Sequence, residues 1–171
     1  MQKINADKIA ENVKAIINKG ATLKQLKGVT NEELEAVYSL AFSNYTTGKY
    51  EDAAKLFQFL VLFDHLNAKY WMGLGAVQQV LKDFKNAVTS YGYCSFLKLS
   101  NPKPQYHAAE CFLAMGDKRN AASSLEALEQ FCPKDTPEGR EYRAKAAKLR
   151  EVIGQEAFEA LKKEDAAGSA A

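Results

Sequence analysis

No proline occurs in the first 101 residues of this 171-residue chain; Pro102, Pro104, Pro133 and Pro137 are the only four. A stretch that long without the strongest helix breaker permits helix throughout. Strand signals are scarce as well, with no sustained apolar–polar alternation and few clusters of Val, Ile and Thr. Cysteine is sparse: Cys94, Cys111 and Cys132 form an odd set without a CxxC pair, which argues against a disulfide framework or a zinc knuckle. His107 and Cys111, four apart, could share a helix face as half a metal site, but no second pair completes it. Buried structural thiols are expected instead, with no metal and no cofactor. An excess of either charge is also lacking: 23 basic against 21 acidic residues leave +2, too little to mark nucleic acid as a partner. No apolar run approaches the roughly 18 residues of a membrane span. Met1 to Gly20 alternates charged and apolar residues without a secretory apolar core, so a cytoplasmic protein without direct membrane insertion is expected. No GxxxxGK[ST] loop and no Ser/His/Asp or Cys/His arrangement stands out, so no enzymatic activity is expected.

With 47% hydrophobic and 26% charged residues, the composition is that of one folded domain. Its organisation shows in a repeat. Gly48–Ala53, Lys82–Ala87 and Gly116–Ala121 align, and Ala53, Ala87 and Ala121 recur every 34 residues. Four residues after each alanine stands a large apolar residue: Phe57, Tyr91 or Leu125. Upstream, Trp71, Leu74 and Gly75 reproduce the W-x-x-L-G signature of the 34-residue tetratricopeptide repeat, with Leu40-Ala41 and Ala108-Ala109 as looser equivalents. Pro133 holds the repeat's late proline position, where His65 and Leu99 stand in the other units. Each unit should form two antiparallel helices that approach closely at the small residues, with the bulky residue filling the remaining gap. One unit cannot bury its apolar face alone. Three therefore stack, over 34–67, 68–101 and 102–135, as an all-α, short right-handed superhelix with a concave inner surface.

The flanks fit this layout. Ile9, Val13, Ile16 and Ile17 mark one face of a helix over about 6–19, within an N-terminal helical segment over 1–30. Thr22 with Gln25 and Thr30 with Glu33 form capping boxes, the second opening the repeats that fill 31–135. Thr136-Pro137 reads as N-cap and first helical position of a capping helix over 136–163. Tyr142, Ala146, Leu149 and Ile153 make its inner stripe; Arg140, Arg143, Lys145, Lys148 and Glu151 make a solvated outer face. Residues 164–171 end a small-residue tail expected to be disordered.

The concave surface comes from the first helix of each pair. There the register places Tyr38, Phe42 and Tyr45 of the first unit, spaced four and three apart so that three rings line one face. The core is already assigned to Leu40, Ala41, Ala53 and Phe57, so these rings point into a groove suited to an extended apolar peptide. Lys69, Met72, Ala76 and Gln79 of the second unit continue it, followed by Lys103, Tyr106 and Glu110 of the third. Lys69, Gln79 and Glu110 could hold the peptide backbone or flanking charges. The pattern that clamps a C-terminal carboxylate in heat-shock cochaperones is absent: Tyr38, Phe42, Gly73 and His107 occupy its positions, and Lys103 alone fits.

The runs Ala36–Phe42, Phe63–Ala68, Met72–Ala76 and His107–Cys111 closely resemble class II chaperones of bacterial type III secretion. The resemblance covers about residues 20 to 150. It implies a cytoplasmic chaperone that binds an extended segment of hydrophobic translocator proteins in the concave groove and keeps them soluble and export-competent. It places the anchor pockets at Tyr38, Phe42 and Tyr45, with Phe42 a Tyr in many relatives, and adds His65 to the peptide-binding set. It implies a homodimer through Ile9, Val13, Ile16 and Ile17. An alternative it leaves open is a regulatory repeat scaffold acting as cofactor of a transcription activator, which would use the convex or C-terminal surface around Arg143 and Lys148.

Overall fold

The computed structural model describes residues 22–154 together with 156, 158 and 159. The predicted helix over 6–19, with Ile9, Val13, Ile16 and Ile17, and the tail over 164–171 lie outside the described residues. Within them every element is a helix: α1 (Leu23–Lys27), α2 (Asn31–Thr46), α3 (Tyr50–Phe63), α4 (Ala68–Val80), α5 (Phe84–Leu97), α6 (Pro102–Ala114), α7 (Lys118–Phe131) and α8 (Pro137–Ile153).

The helix starts follow local chemistry. Thr22 and Thr30 each accept a bond from the backbone N–H three residues on, while the side-chain oxygens of Gln25 and Glu33 accept from the cap's own backbone N–H, so both capping boxes form. Asn67 and Asn101 cap α4 and α6 through their side chains, and Thr136 caps α8 ahead of Pro137. Between the helices of each pair the chain reverses through one left-handed residue at the same repeat position: Gly48 (φ 80°), Lys82 (φ 61°) and Gly116 (φ 78°). Lysine thus carries a conformation that costs an L-residue roughly 1–2 kcal/mol.

Packing bears out the 34-residue register. Ala53, Ala87 and Ala121 are all 0% exposed, and Phe57, Tyr91 and Leu125 are buried beside them. Burying such side chains contributes about 1.5–3 kcal/mol each. Ala41, Gly75 and Ala109, the small residues of the first helices, are buried too. A Cβ on Gly75 would stand 2.7 Å from the Tyr91 ring, and one on Gly73 would stand 2.2 Å from Phe57 Cε1, so both glycines exist for ring-on-backbone contact. The core then runs along the stack, from Leu34, Phe57, Leu60 and Val77 through Tyr91 and Cys111 to Leu125, Leu128, Tyr142, Ala146 and Ile153. Burial pushes the thiols of Cys94 and Cys111 up to about 11 and 12, so both stay protonated, as packing residues do.

Three expectations need correction. Leu40, assigned to the core, is 54% exposed, whereas its counterpart Leu74 is buried. Leu74 belongs to a unit with a preceding repeat to pack on. Before α2 the described residues offer only short α1, which Lys24 ties to α3 through Asp64 at 3.5 Å. Arg143, expected on the solvated face of α8, turns inward. Its Nη2 donates to the carbonyls of Glu129 and Cys132 at 2.5 and 2.7 Å, closing the C-terminal end of α7, whose last carbonyls lack helical partners. The terminal helix also breaks at Gly154, whose φ of 89° suits glycine alone, before helical conformation resumes at residues 156, 158 and 159. Phe158 beyond the break is buried, with the Arg150 guanidinium 3.9 Å over its ring.

Candidate functional site

The first helices of the pairs, α2, α4 and α6, contribute to one open cavity of about 350 Å³. Its first wall is Tyr38, Phe42 and Tyr45 on α2; Met72, Gly73 and Ala76 on α4 face it, and Phe57 from α3 reaches it between them. Phe57 reaches the cavity only because Gly73 has no side chain to block it. Tyr38 is the organising ring. It stacks on Phe42 at 6.3 Å between centroids and meets Phe57 edge-on at 5.9 Å, while Lys69 Nζ sits 3.6 Å over its face. Glu35 holds that ammonium from the other side at 2.9 and 3.0 Å. Tyr45 is set by an edge contact to Tyr50 at 5.9 Å. Phe42 stays half exposed, so the apolar wall faces solvent.

Further along, the chemistry turns polar. Tyr91 Oη donates to Gln79 Oε1 at 2.7 Å, and Gln79 Nε2 donates to Glu110 Oε2 at 3.1 Å. His107 Nδ1 lies 2.8 Å from the same carboxylate oxygen, and since a carboxylate can only accept, Nδ1 carries the proton. Burial by itself would raise the Glu110 carboxyl, but hydrogen bonds from His107, Gln79 and Tyr106 outweigh it and hold it below the usual carboxylate range. Burial likewise drives the Tyr91 hydroxyl far above an ordinary phenol, so it remains a donor. His107 is boxed by rings, with Tyr91 at 5.7 Å, Tyr106 at 5.4 Å and Tyr142 at 6.4 Å.

Of the residues singled out in the sequence, Tyr38, Phe42, Tyr45, Lys69, Met72, Ala76 and Lys103 converge on the cavity. Gln79, Tyr106 and Glu110 do not line this cavity; their polar atoms meet one another beside it. His65 also stands apart, in the connection between α3 and α4, where its carbonyl accepts the Trp71 indole N–H at 2.7 Å. The cavity includes residues that the repeat register did not single out for it. Phe57 holds a core position in that register, and Lys98 and Asn101 lie in or beside the α5–α6 connection, outside the positions it assigns to a concave face.

Stacked 34-residue helix hairpins with an aromatic groove on their first helices define a tetratricopeptide-repeat protein. The family model described as "Tetratricopeptide repeat" matches residues 34–67 and 68–100. The Low calcium response locus protein H of Yersinia pseudotuberculosis is 36% identical over 141 residues, covering 82% of this chain and 83% of its own length. A solved type III secretion system complex from Aeromonas hydrophila superposes with a TM-score of 0.78 at 36% identity, over 84% of this chain and 95% of that one. The Yersinia enterocolitica type III secretion chaperone SycD, solved with a peptide of the translocator YopD, superposes with a TM-score of 0.68 at 36% identity, over 73% of this chain and 95% of its own. The chain belongs to the family of type III secretion translocator chaperones.

Proposed function

We propose that this protein is a translocator chaperone that works by occupancy: it holds an extended apolar segment of a translocator in the groove bounded by Tyr38, Phe42, Tyr45 and Met72. The carrying observation is the cavity itself, whose wall of Tyr38, Phe42 and Tyr45 lies open to solvent with Phe42 half exposed. Flat rings accept proline and aliphatic side chains, and an already extended segment loses little entropy when it docks. A hydrophobic translocator apolar enough to enter a bilayer would aggregate or insert early if left uncovered. Binding one segment draws its population out of those states by mass action. Such a role belongs in the bacterial cytoplasm before export and asks for no chemistry from the chaperone.

The test is affinity capture from the source bacterium with the full chain as bait and Tyr38→Ala/Tyr45→Ala as control, read by mass spectrometry. Recovery of one or two large proteins with transmembrane segments, lost with the variant while far-UV helicity is kept, is expected. Recovery of soluble partners alone, a transcription activator among them, equally with both baits, would refute the groove reading and favour a regulatory scaffold.

A further inference from the structure

We propose that the groove contains a carboxylate subsite at Lys98, so that the segment it holds carries an Asp or Glu side chain beside its apolar anchor. This rests on the groove being the binding site. The cavity's charged lining residues are Lys69, Lys98 and Lys103, with no Asp or Glu among them. Two of these cations are already matched. Lys69 pairs with Glu35 at 2.9 Å, and Lys103 with Glu138 at 2.8 Å, a bond that also raises the Lys103 pKa. Among the described residues Lys98 makes no ion pair. It therefore stands as an exposed, unmatched ammonium on the edge of an apolar cavity, where charge complementarity can select the segment that docks.

Its surroundings favour an anion in a continuing chain. Asn101 Oδ1 is engaged by the backbone N–H of Lys103 at 3.1 Å, which leaves the Nδ2 group as the polar end that side chain can offer a ligand. Lys98, Asn101 and Lys103 also line a second, adjoining cavity with Thr136 and Glu138, so the groove continues past the lysine rather than closing on it. An extended segment can thus run past Lys98, and the anion it meets is a side chain rather than a chain end.

The test uses the full chain and fluorescence anisotropy with short acetylated and amidated peptides that keep proline and leucine anchors while Glu, Gln or Lys is scanned through the remaining positions. At one position the Glu peptide should bind about three- to fivefold tighter than the Gln peptide at low salt, as an exposed ion pair allows. That preference should vanish in Lys98→Gln, invert toward the Lys peptide in Lys98→Glu, and persist in Lys148→Gln on the distant outer face of α8. Binding of Gln and Glu peptides alike at every position, or a Glu preference that survives Lys98→Gln, overturns the subsite and leaves the groove standing. A free-acid peptide that outcompetes its amide through Lys98 also overturns it, by making the chain terminus the anion. If no peptide binds, or Tyr38→Ala/Tyr45→Ala binds as well as the parent, both groove and subsite fall.

Discussion

Two glycine-to-alanine changes, each inside a helix, should move stability in opposite directions. Gly92 lies in α5 with nothing within 4 Å of a Cβ placed on it. Alanine there should collect the full helix-propensity gain of about 0.8–1.0 kcal/mol. Gly73 lies in α4 and would collect the same gain, but its Cβ would stand 2.2, 2.5 and 2.7 Å from three carbons of the Phe57 ring. Ordinary carbon contacts are about 3.5–4.0 Å, so the ring must retreat by on the order of 1.5 Å. Phe57 is buried and braced by Tyr38 at 5.9 Å, which leaves retreat toward the groove cavity as its way out. Overpacking of this kind costs about 1–3 kcal/mol, so Gly73→Ala should be destabilised by ~1 kcal/mol net. Propensity cancels in the difference between the two variants, which is then the overpacking cost itself. Urea unfolding of both, followed by far-UV dichroism, reads it directly; for a chain of this length each kcal/mol also moves Tm by about 2–4 °C. Peptide affinity should fall in Gly73→Ala and hold in Gly92→Ala. Equal stabilisation of both would refute the seating of Phe57 against Gly73, and with it the account of how the cavity forms.

Lys82→Gly relieves a left-handed residue at φ 61°. The relief of about 1–2 kcal/mol, less about 0.5–1 kcal/mol for glycine's freer unfolded chain, should stabilise by ~0.5–1 kcal/mol in the same urea assay. A loss would show that the lysine side chain contributes something the turn geometry does not reveal. The Glu110 carboxyl is lower in the folded than in the unfolded chain. Its contribution to stability is therefore complete above the unfolded value of about 4.3 and is lost as pH falls through the lower folded value. Glu110→Gln should flatten the acid limb of the stability–pH curve below about pH 5, and an unaltered limb would contradict the network. If the stripe Ile9, Val13, Ile16 and Ile17 carries a homodimer, Ile16→Asp should halve the sedimenting mass; an unchanged mass rejects that interface.

Much of this protein was settled by one-dimensional information. A 34-residue spacing of alanine and of the large apolar residue four places later was enough to assign helix pairs, because two packed helices need a small residue at close approach and a bulky one beside it. Ala53, Ala87, Ala121, Phe57, Tyr91 and Leu125 are buried as that spacing requires. Helix starts were equally legible at Thr22, Thr30 and Thr136, since capping is a contact between neighbours in sequence. So was the aromatic wall of Tyr38, Phe42 and Tyr45, because helical periodicity alone puts them on one face.

What the spacing could not settle depends on which unit lies next to which. Leu40 and Leu74 hold the same repeat position, and only the presence of a preceding unit decides that one is exposed and the other buried. Arg143 follows the polar stripe of its helix, yet the carbonyls it satisfies belong to the end of a different helix. Gln79 and Glu110 read as groove residues from their own helices, and it is where α4 and α6 meet that they bond to each other and to Tyr91, His107 and Tyr106. Lys98 reaches the cavity from a connection rather than from a first helix, and no repeat register assigns connections to a face. Periodicity determines which residues of one helix lie together. Which polar groups of different helices find partners, and which charge is left without one, is decided only when the units stack.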